Sequence, residues 1–310
     1  MFPAARLGNF ARRANVVAPV ARADRAVKDV RMMTFICTAC GTQYPASSMD
    51  QNLPPAQCAI CEEERQYVPP GGQSWTTLDK LRVGHRNAFH QYEPGITGIG
   101  TEPHFAIGQR AILVQTPNGN VLWDCIAFLD DATVAIIKSL GGVKAIAISH
   151  PHFYTTNAEW SRAFGAPVYL HAADKKWVQN PHPGIKYWDS ETLELLPGIT
   201  LIRCGGHFPG GTVLHTAQGA GGKGAVCSGD ILTVVTDRKW LSFMRSYPNL
   251  IPLSAHEVEA IGRAMAPFSF EAIYGHYFDR VIERDGKAVL EKSIERYIAN
   301  LNGTARPAGT

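Results

Sequence analysis

The chain has 310 residues, 45% of them hydrophobic and 18% charged, with a formal net charge of +3. These are the proportions of a globular protein, at a length suited to one large domain plus something small, and no run approaches the ~18 apolar residues of a membrane span. The charge is uneven: residues 1–33 hold six Arg and one Lys against two Asp, a net +5, which leaves the other 277 residues at −2. A nearly neutral body argues against a nucleic-acid partner, whose electrostatic footprint is clustered Lys and Arg.

Residues 1–33 are rich in Ala and Arg and contain no Glu. That composition fits either a mitochondrial transit peptide or a disordered leader. The segment lacks the apolar core of a secretory signal, so the cysteines are expected in a reducing compartment, cytoplasmic unless the leader targets mitochondria. Residues 34–75 form a small Cys/Pro/Gly module that ends in the linker Pro69-Pro70-Gly71-Gly72. Cys37 and Cys40 form one C-x2-C, and Cys58 and Cys61 a second, 17 residues further on. Two thiolates in one turn reach the same ion, and four close a tetrahedral structural site. About 40 residues bury too little apolar surface to fold alone, so a metal staple is physically required. Zinc is the expected ion and rubredoxin-like iron its competitor. A closed site points to a structural role, or to a docking module for a protein partner or a second copy.

From residue 76 to 303 the pattern is α/β, followed by a short tail, 304–310. Ala111 to Cys125 holds two apolar runs around Pro117-Asn118-Gly119-Asn120, the pattern of a hairpin. Asp131 caps a helix that stops at Gly141-Gly142. VKAIAIS reads as a buried strand ending at His150, followed by a short helix from Thr156 to Gly165, a strand over 168–170 and a helix over 172–178. Residues 192–235 hold three or four strands between Gly-rich turns; helices follow at 255–266 and 286–301, with the strand EAIYG at 271–275. Residues 76–110 read only as a Gly-rich lead-in containing His85, His90 and His104. Strands alternating with helices imply sheets with helices packed outside.

Five metal-competent residues fall at strand ends. His150 and His152 follow VKAIAIS, His207 follows LIRCGG, Asp230 follows AVCSG and His276 follows EAIYG. A Gly directly before three of them permits a sharp turn and close backbone approach. Cys125, Cys204 and Cys227, inside apolar strands, read as small buried hydrophobes.

In this order the residues resemble the metallo-β-lactamase-fold hydrolases. His150 and His152 match the first two positions of that superfamily's H-x-H-x-D-H signature. His207, Asp230 and His276 match its later His, bridging Asp and last His, and Asp124 matches its first conserved Asp. The resemblance covers roughly residues 100–280 and implies an αββα four-layer sandwich behind the zinc ribbon. Tyr154 and Thr155 stand where the signature has Asp and His. The resemblance therefore implies one catalytic ion, held by His150, His152, His207 and Asp230. Restoring the signature by Tyr154→Asp with Thr155→His is expected to raise the occupancy towards two.

The implied activity is a zinc hydrolase that cleaves an ester, thioester, lactone or lactam of a small molecule through metal-bound hydroxide. Asp230 orients the water, and Tyr154 donates a hydrogen bond to the oxyanion or leaving group. Neither nucleic acid nor membrane is expected as a partner. The alternatives are a mononuclear iron(II) oxidoreductase on a two-His-one-carboxylate triad, resembling persulfide dioxygenases, and a non-catalytic metal-binding scaffold. Trp240, Phe243, Met244 and Tyr247 are candidates for an apolar substrate wall.

Overall fold

A computed structural model describes residues 33–47, 50 and 52–305. The leader expected over 1–33 lies outside the described residues except for Met33, as do residues 306–310 of the tail. The described residues form one compact unit.

Two sheets make the centre. The first runs, edge to edge, Ile185–Trp188, Val168–His171, Ala145–Ala147, Gly119–Trp123, Ala111–Thr116, Ile96–Glu102 and Arg86–Glu93. Its first four strands are parallel and the rest pair as antiparallel hairpins. The second runs Thr192–Leu196, Ile199–Arg203, Thr212–Thr216, Ala225–Cys227, Ala272–Tyr274 and Val281–Ile282, antiparallel except where Ala225–Cys227 meets Ala272–Tyr274.

The apolar runs AILV, VLW and AIA are continuous because these strands are covered on both faces. Alternate side chains divide between two cores. Ile112, Val121, Trp123, Ala145 and Ala147 face the second sheet, where they meet Leu201, Leu214, Cys227 and Tyr274. Leu113, Leu122, Ile146 and Val168 point the other way, onto Ile137 of the helix Asp131–Ser139 and Trp160 of the helix Asn157–Phe164. The outer face of the second sheet packs Ile202, Val226 and Ile273 against Val258, Ile261 and Leu290 of the helices Ala255–Met265 and Gly286–Leu301. The result is the expected αββα sandwich. Ahead of it lies a three-stranded sheet, Gln43–Pro45, Thr34–Cys37 and Trp75–Thr76, which carries the cysteine module.

Local details differ from the sequence reading. The lead-in holds a helix, Leu78–Gly84, and two strands, Arg86–Glu93 and Ile96–Glu102, joined at Pro94-Gly95. Arg86–Glu93 is an edge strand with much of its surface exposed, so RNAFHQYE lacks the apolar alternation that marks a half-buried strand. The cap of Asp131–Ser139 is Asp130, whose carboxylate accepts from Thr133 N at 2.7 Å, and Asp131 sits in the first turn. The segment Ala172–Trp177 is a 3-10 helix, started by His171, whose Nδ1 accepts from Ala173 N.

Candidate metal centres

The four module cysteines are buried and their Sγ atoms lie within 4.8 Å of one another. Cys37 and Cys61 are 3.6 Å apart at sulfur, Cys40 and Cys58 3.5 Å. These separations are far longer than a disulfide's ~2.05 Å and close to the ~3.8 Å edge of a tetrahedron with ligands at ~2.3 Å. Tyr44 Oη donates to Cys58 Sγ and Gln73 Nε2 to Cys37 Sγ, both at 3.2 Å, as suits thiolate acceptors. Gly41 makes the turn at φ +80°, where a side chain would also meet Ala127 Cβ at 2.9 Å.

The second cluster is built from three strand ends. After Ala145–Ala147 the chain passes His150 into a single 3-10 turn, Pro151–Phe153, which sets the rings of His150 and His152 edge to face at 5.1 Å. His207 follows Ile199–Arg203 through Gly205 and Gly206, both at positive φ. Asp230 follows Ala225–Cys227 through Gly229 at φ +54°, where a Cβ would collide with Ser149 Oγ at 2.4 Å. Ligand atoms of His150, His152, His207 and Asp230 all lie within 4.8 Å of one another, and all four residues are buried. His150 Nε2 is 3.3 Å from Asp230 Oδ2, His207 Nε2 is 3.2 Å from His152 Nδ1, and His207 Nε2 is 3.8 Å from Asp230 Oδ2. Nitrogen ligands at ~2.0 Å on tetrahedral corners stand about 3.3 Å apart.

Neighbouring groups fix the tautomers. Asp124 Oδ1 accepts from both Ser149 N and Ser149 Oγ at 2.7 Å. With its proton so placed, Ser149 Oγ accepts from His150 Nδ1–H at 2.8 Å, which leaves the Nε2 lone pair free. His207 Nδ1 likewise donates to Met244 O at 3.0 Å and turns Nε2 to the cluster. Such outer partners orient ligands in metal sites. His150 Nε2, which faces the cluster, is buried without a hydrogen bond, an expense a protein sustains where an ion is meant to be. Burial pushes His207 down to about 3 and also lowers His150 and His152, so the imidazoles are neutral. Burial alone would raise Asp230, but His276, itself raised by this carboxylate, holds it well below the usual carboxylate range. Neutral imidazoles with an ionised carboxylate are what a divalent ion requires.

His276 stands beside this set. Its Nδ1 lies 2.8 Å from Asp230 Oδ1 and 3.0 Å from Gly229 O, and it steadies the carboxylate. Tyr154 is buried in the apolar core with Phe153 and Trp160, and it is not among the residues that line the cavity at the cluster. The oxyanion donor expected of Tyr154 is therefore not placed by the fold. Thr155 has φ +34° and its carbonyl accepts from Gln43 N at 3.1 Å, so it is occupied with the cysteine module.

No family model matches the sequence. The chain is 48% identical over 273 residues to the uncharacterized protein YmaE of Bacillus subtilis (strain 168), a match covering 87% of this chain and 98% of that protein. The chain belongs to the YmaE family. Among solved structures it is similar to VMB-1, with TM-score 0.53 and 12% identity over 70% of this chain and 98% of that one. It is also similar to the DIM-1 metallo-β-lactamase, with TM-score 0.50 and 10% identity over 69% and 98%. The fold of this YmaE relative is thus the metallo-β-lactamase fold, as the strand-end residues suggested.

In this YmaE-family chain the cluster opens on a cavity of about 600 Å³. Met244 and Tyr247 line it as expected, with His104, Ile107, Val235 and Tyr277. Phe243 lies in the core, and Trp240 lies under Lys292 and Arg296. Sequence reasoning missed Arg65 and Gln66, which reach the site from the cysteine module. Arg65 Nε donates to His207 O at 2.7 Å, and its guanidinium lies 4.5 Å over the Phe208 ring. No spacing signal ties these residues to a histidine 142 positions away.

Asp174 anchors the His207 loop by accepting from Gly210 N at 3.0 Å. Burial pushes its carboxyl up from 3.8 to about 6. The native state then binds more protons than the unfolded one between those values, so stability falls as pH rises through that window. Asp174→Asn keeps an acceptor for Gly210 and removes the charge. It is expected to be more stable than the parent by up to about 3 kcal/mol at pH 8, with the gain vanishing towards pH 4. Denaturant titrations at both pH values check this; a gain independent of pH would contradict it.

Proposed function

We propose that this protein is a mononuclear metal-dependent hydrolase that cleaves a carbonyl bond (ester, thioester, lactone or lactam) in a small molecule. The observation that carries the reading is the convergence of His150, His152, His207 and Asp230 on one buried point at the floor of the cavity. Three neutral imidazoles suit zinc, whose catalytic sites use three protein ligands and keep a position open, and the Asp230 carboxylate stands beside that position. The closeness of His152 to His207 favours this set over a two-His-one-carboxylate iron triad. A bound divalent ion supplies Lewis acidity and lowers the pKa of water to ~7.

The residues do the rest. Ser149 and Asp124 fix the ring of His150, and Met244 O fixes that of His207. Asp230, with little affinity for protons, accepts a hydrogen bond from the attacking water and orients it without removing its proton. His276 holds that carboxylate in place. The cavity has the volume of a small-molecule site, ~300–1,000 Å³, and its apolar wall favours an acyl group with a hydrocarbon body. In the second metal site, zinc in the cysteine module is structural.

The test is a panel of aryl esters, thioesters, lactones and lactams, assayed in aerated buffer with zinc-loaded protein and with protein loaded anaerobically with iron(II). Hydrolysis by the zinc form, reduced at least about 100-fold in His207→Ala, is the expected result. Turnover confined to the iron form with dioxygen consumption would overturn it.

A further inference from the structure

The cysteine module does more than stand ahead of the sandwich. Its last loop reaches the histidine cluster and presents one uncharged polar side chain there. Gln66 Nε2 lies 3.5 Å from His152 Nδ1, the nitrogen that also lies 3.2 Å from His207 Nε2. These are the separations of neighbouring ligands around one ion, about 3.3 Å at tetrahedral corners.

The placement of Gln66 is fixed by the backbone around it. Asn249 Nδ2 donates to Glu64 O at 2.9 Å and to Gln66 O at 3.1 Å, and Ser246 Oγ donates to Arg65 O at 3.1 Å. Gln66 N closes the turn onto Glu63 O at 2.8 Å. Arg65, between these anchors, ties the loop to the carbonyl of His207 itself. Four hydrogen bonds thus hold a three-residue stretch against the site, and with Arg65 Nε spent on His207 O the side chain left to face the cluster is Gln66. A terminal amide exchanges its oxygen and nitrogen by a half-turn about Cγ–Cδ. Once the lone pair of His152 Nδ1 is given to an ion, an N–H pointing at it has no acceptor, whereas the carbonyl oxygen facing the ion has a cation.

We propose that Gln66 is a further ligand of the catalytic ion, contributed by the cysteine module through its amide oxygen. This rests on the mononuclear site proposed above and deepens it: the site is completed from outside the strand-end motif, by a segment that a second metal site folds. With three imidazoles on the ion and Asp230 kept for the water, Gln66 is a fourth protein donor and the water a fifth, a coordination number zinc accepts.

The test uses full-length protein that retains the ion of its cysteine module, is dialysed against a mild chelator and is then titrated with cobalt(II). Binding and visible d–d spectra are read, with no substrate present. Gln66→Leu is expected to weaken cobalt binding at least about tenfold and to give the more intense bands of a lower coordination number. Gln66→Glu, which keeps an oxygen donor, is expected to restore affinity to the parent's or better. Circular dichroism and the metal content of the cysteine module are followed in both variants, so that a misfolded Gln66→Leu protein leaves Gln66→Glu, with its expected five-coordinate spectrum, as the deciding variant. Unchanged affinity and spectrum in Gln66→Leu, with cobalt binding abolished in His150→Ala, overturns the role of Gln66 alone. Cobalt binding unaffected by His150→Ala overturns the site on which the proposal rests.

Discussion

The double variant Cys37→Ser with Cys58→Ser is expected to lose one metal equivalent and the fold of residues 34–76. The module's core consists of the four cysteines with Tyr44 and Ile60, backed by Trp75. Remove the ion and what remains buries too little apolar surface to hold a short three-stranded sheet. Structural zinc in such modules contributes on the order of 10 kcal/mol of apparent binding energy to the folded state. The damage is expected to spread, because residues 64–66 are tied to Ser246, Asn249 and His207. The variant should therefore retain its histidine-site ion less firmly, while the sandwich, with its own cores, stays folded. Elemental analysis and limited proteolysis check both parts. Full metal content with uncut residues 34–76 would contradict the account.

The second large effect concerns the altered signature. Tyr154→Asp with Thr155→His, expected from sequence alone to rebuild a second ion site, is now expected to destabilise the protein by roughly 3–5 kcal/mol without adding an ion. Tyr154 is 4% exposed and packs among Phe153, Trp160 and Leu170, where a carboxylate would be desolvated and unpaired. Thr155 is packed against Gly41 and carries a carbonyl bonded to Gln43, so a larger imidazole meets the cysteine module. Equilibrium unfolding in denaturant and a metal count measure the two outcomes. A stable variant with an extra equivalent would show that these side chains can swing into the cavity.

The ligands were legible because the fold places them directly after strand ends, so each carries a local mark: an apolar run, a Gly, then the ligand. His207 and Asp230 show the whole pattern, His150 with His152 the apolar run alone, and the structure brings the four together. His276 carries the same mark yet sits one step out, because its Nδ1 turns to Gly229 O and Asp230, a choice made by the backbone opposite. The strands buried on both faces were legible for a similar reason, as continuous apolar runs. The hairpin of Arg86–Glu93 and Ile96–Glu102 was not, since an exposed edge strand needs no apolar alternation. Arg65 and Gln66 were invisible because their roles come from a docking between distant segments, through Asn249 and Ser246. Tyr154 was read as catalytic from its place in a motif, but the turn at Pro151–Phe153 directs it into the core.

The central claim is one ion at His150, His152, His207 and Asp230 beside one in the cysteine cluster. Elemental analysis of the purified full-length protein and of His150→Ala tests it most directly. The account predicts two metal equivalents per chain, falling to one in His150→Ala with the cysteine ion retained. Three equivalents in the parent, or a count that His150→Ala leaves unchanged, would contradict it.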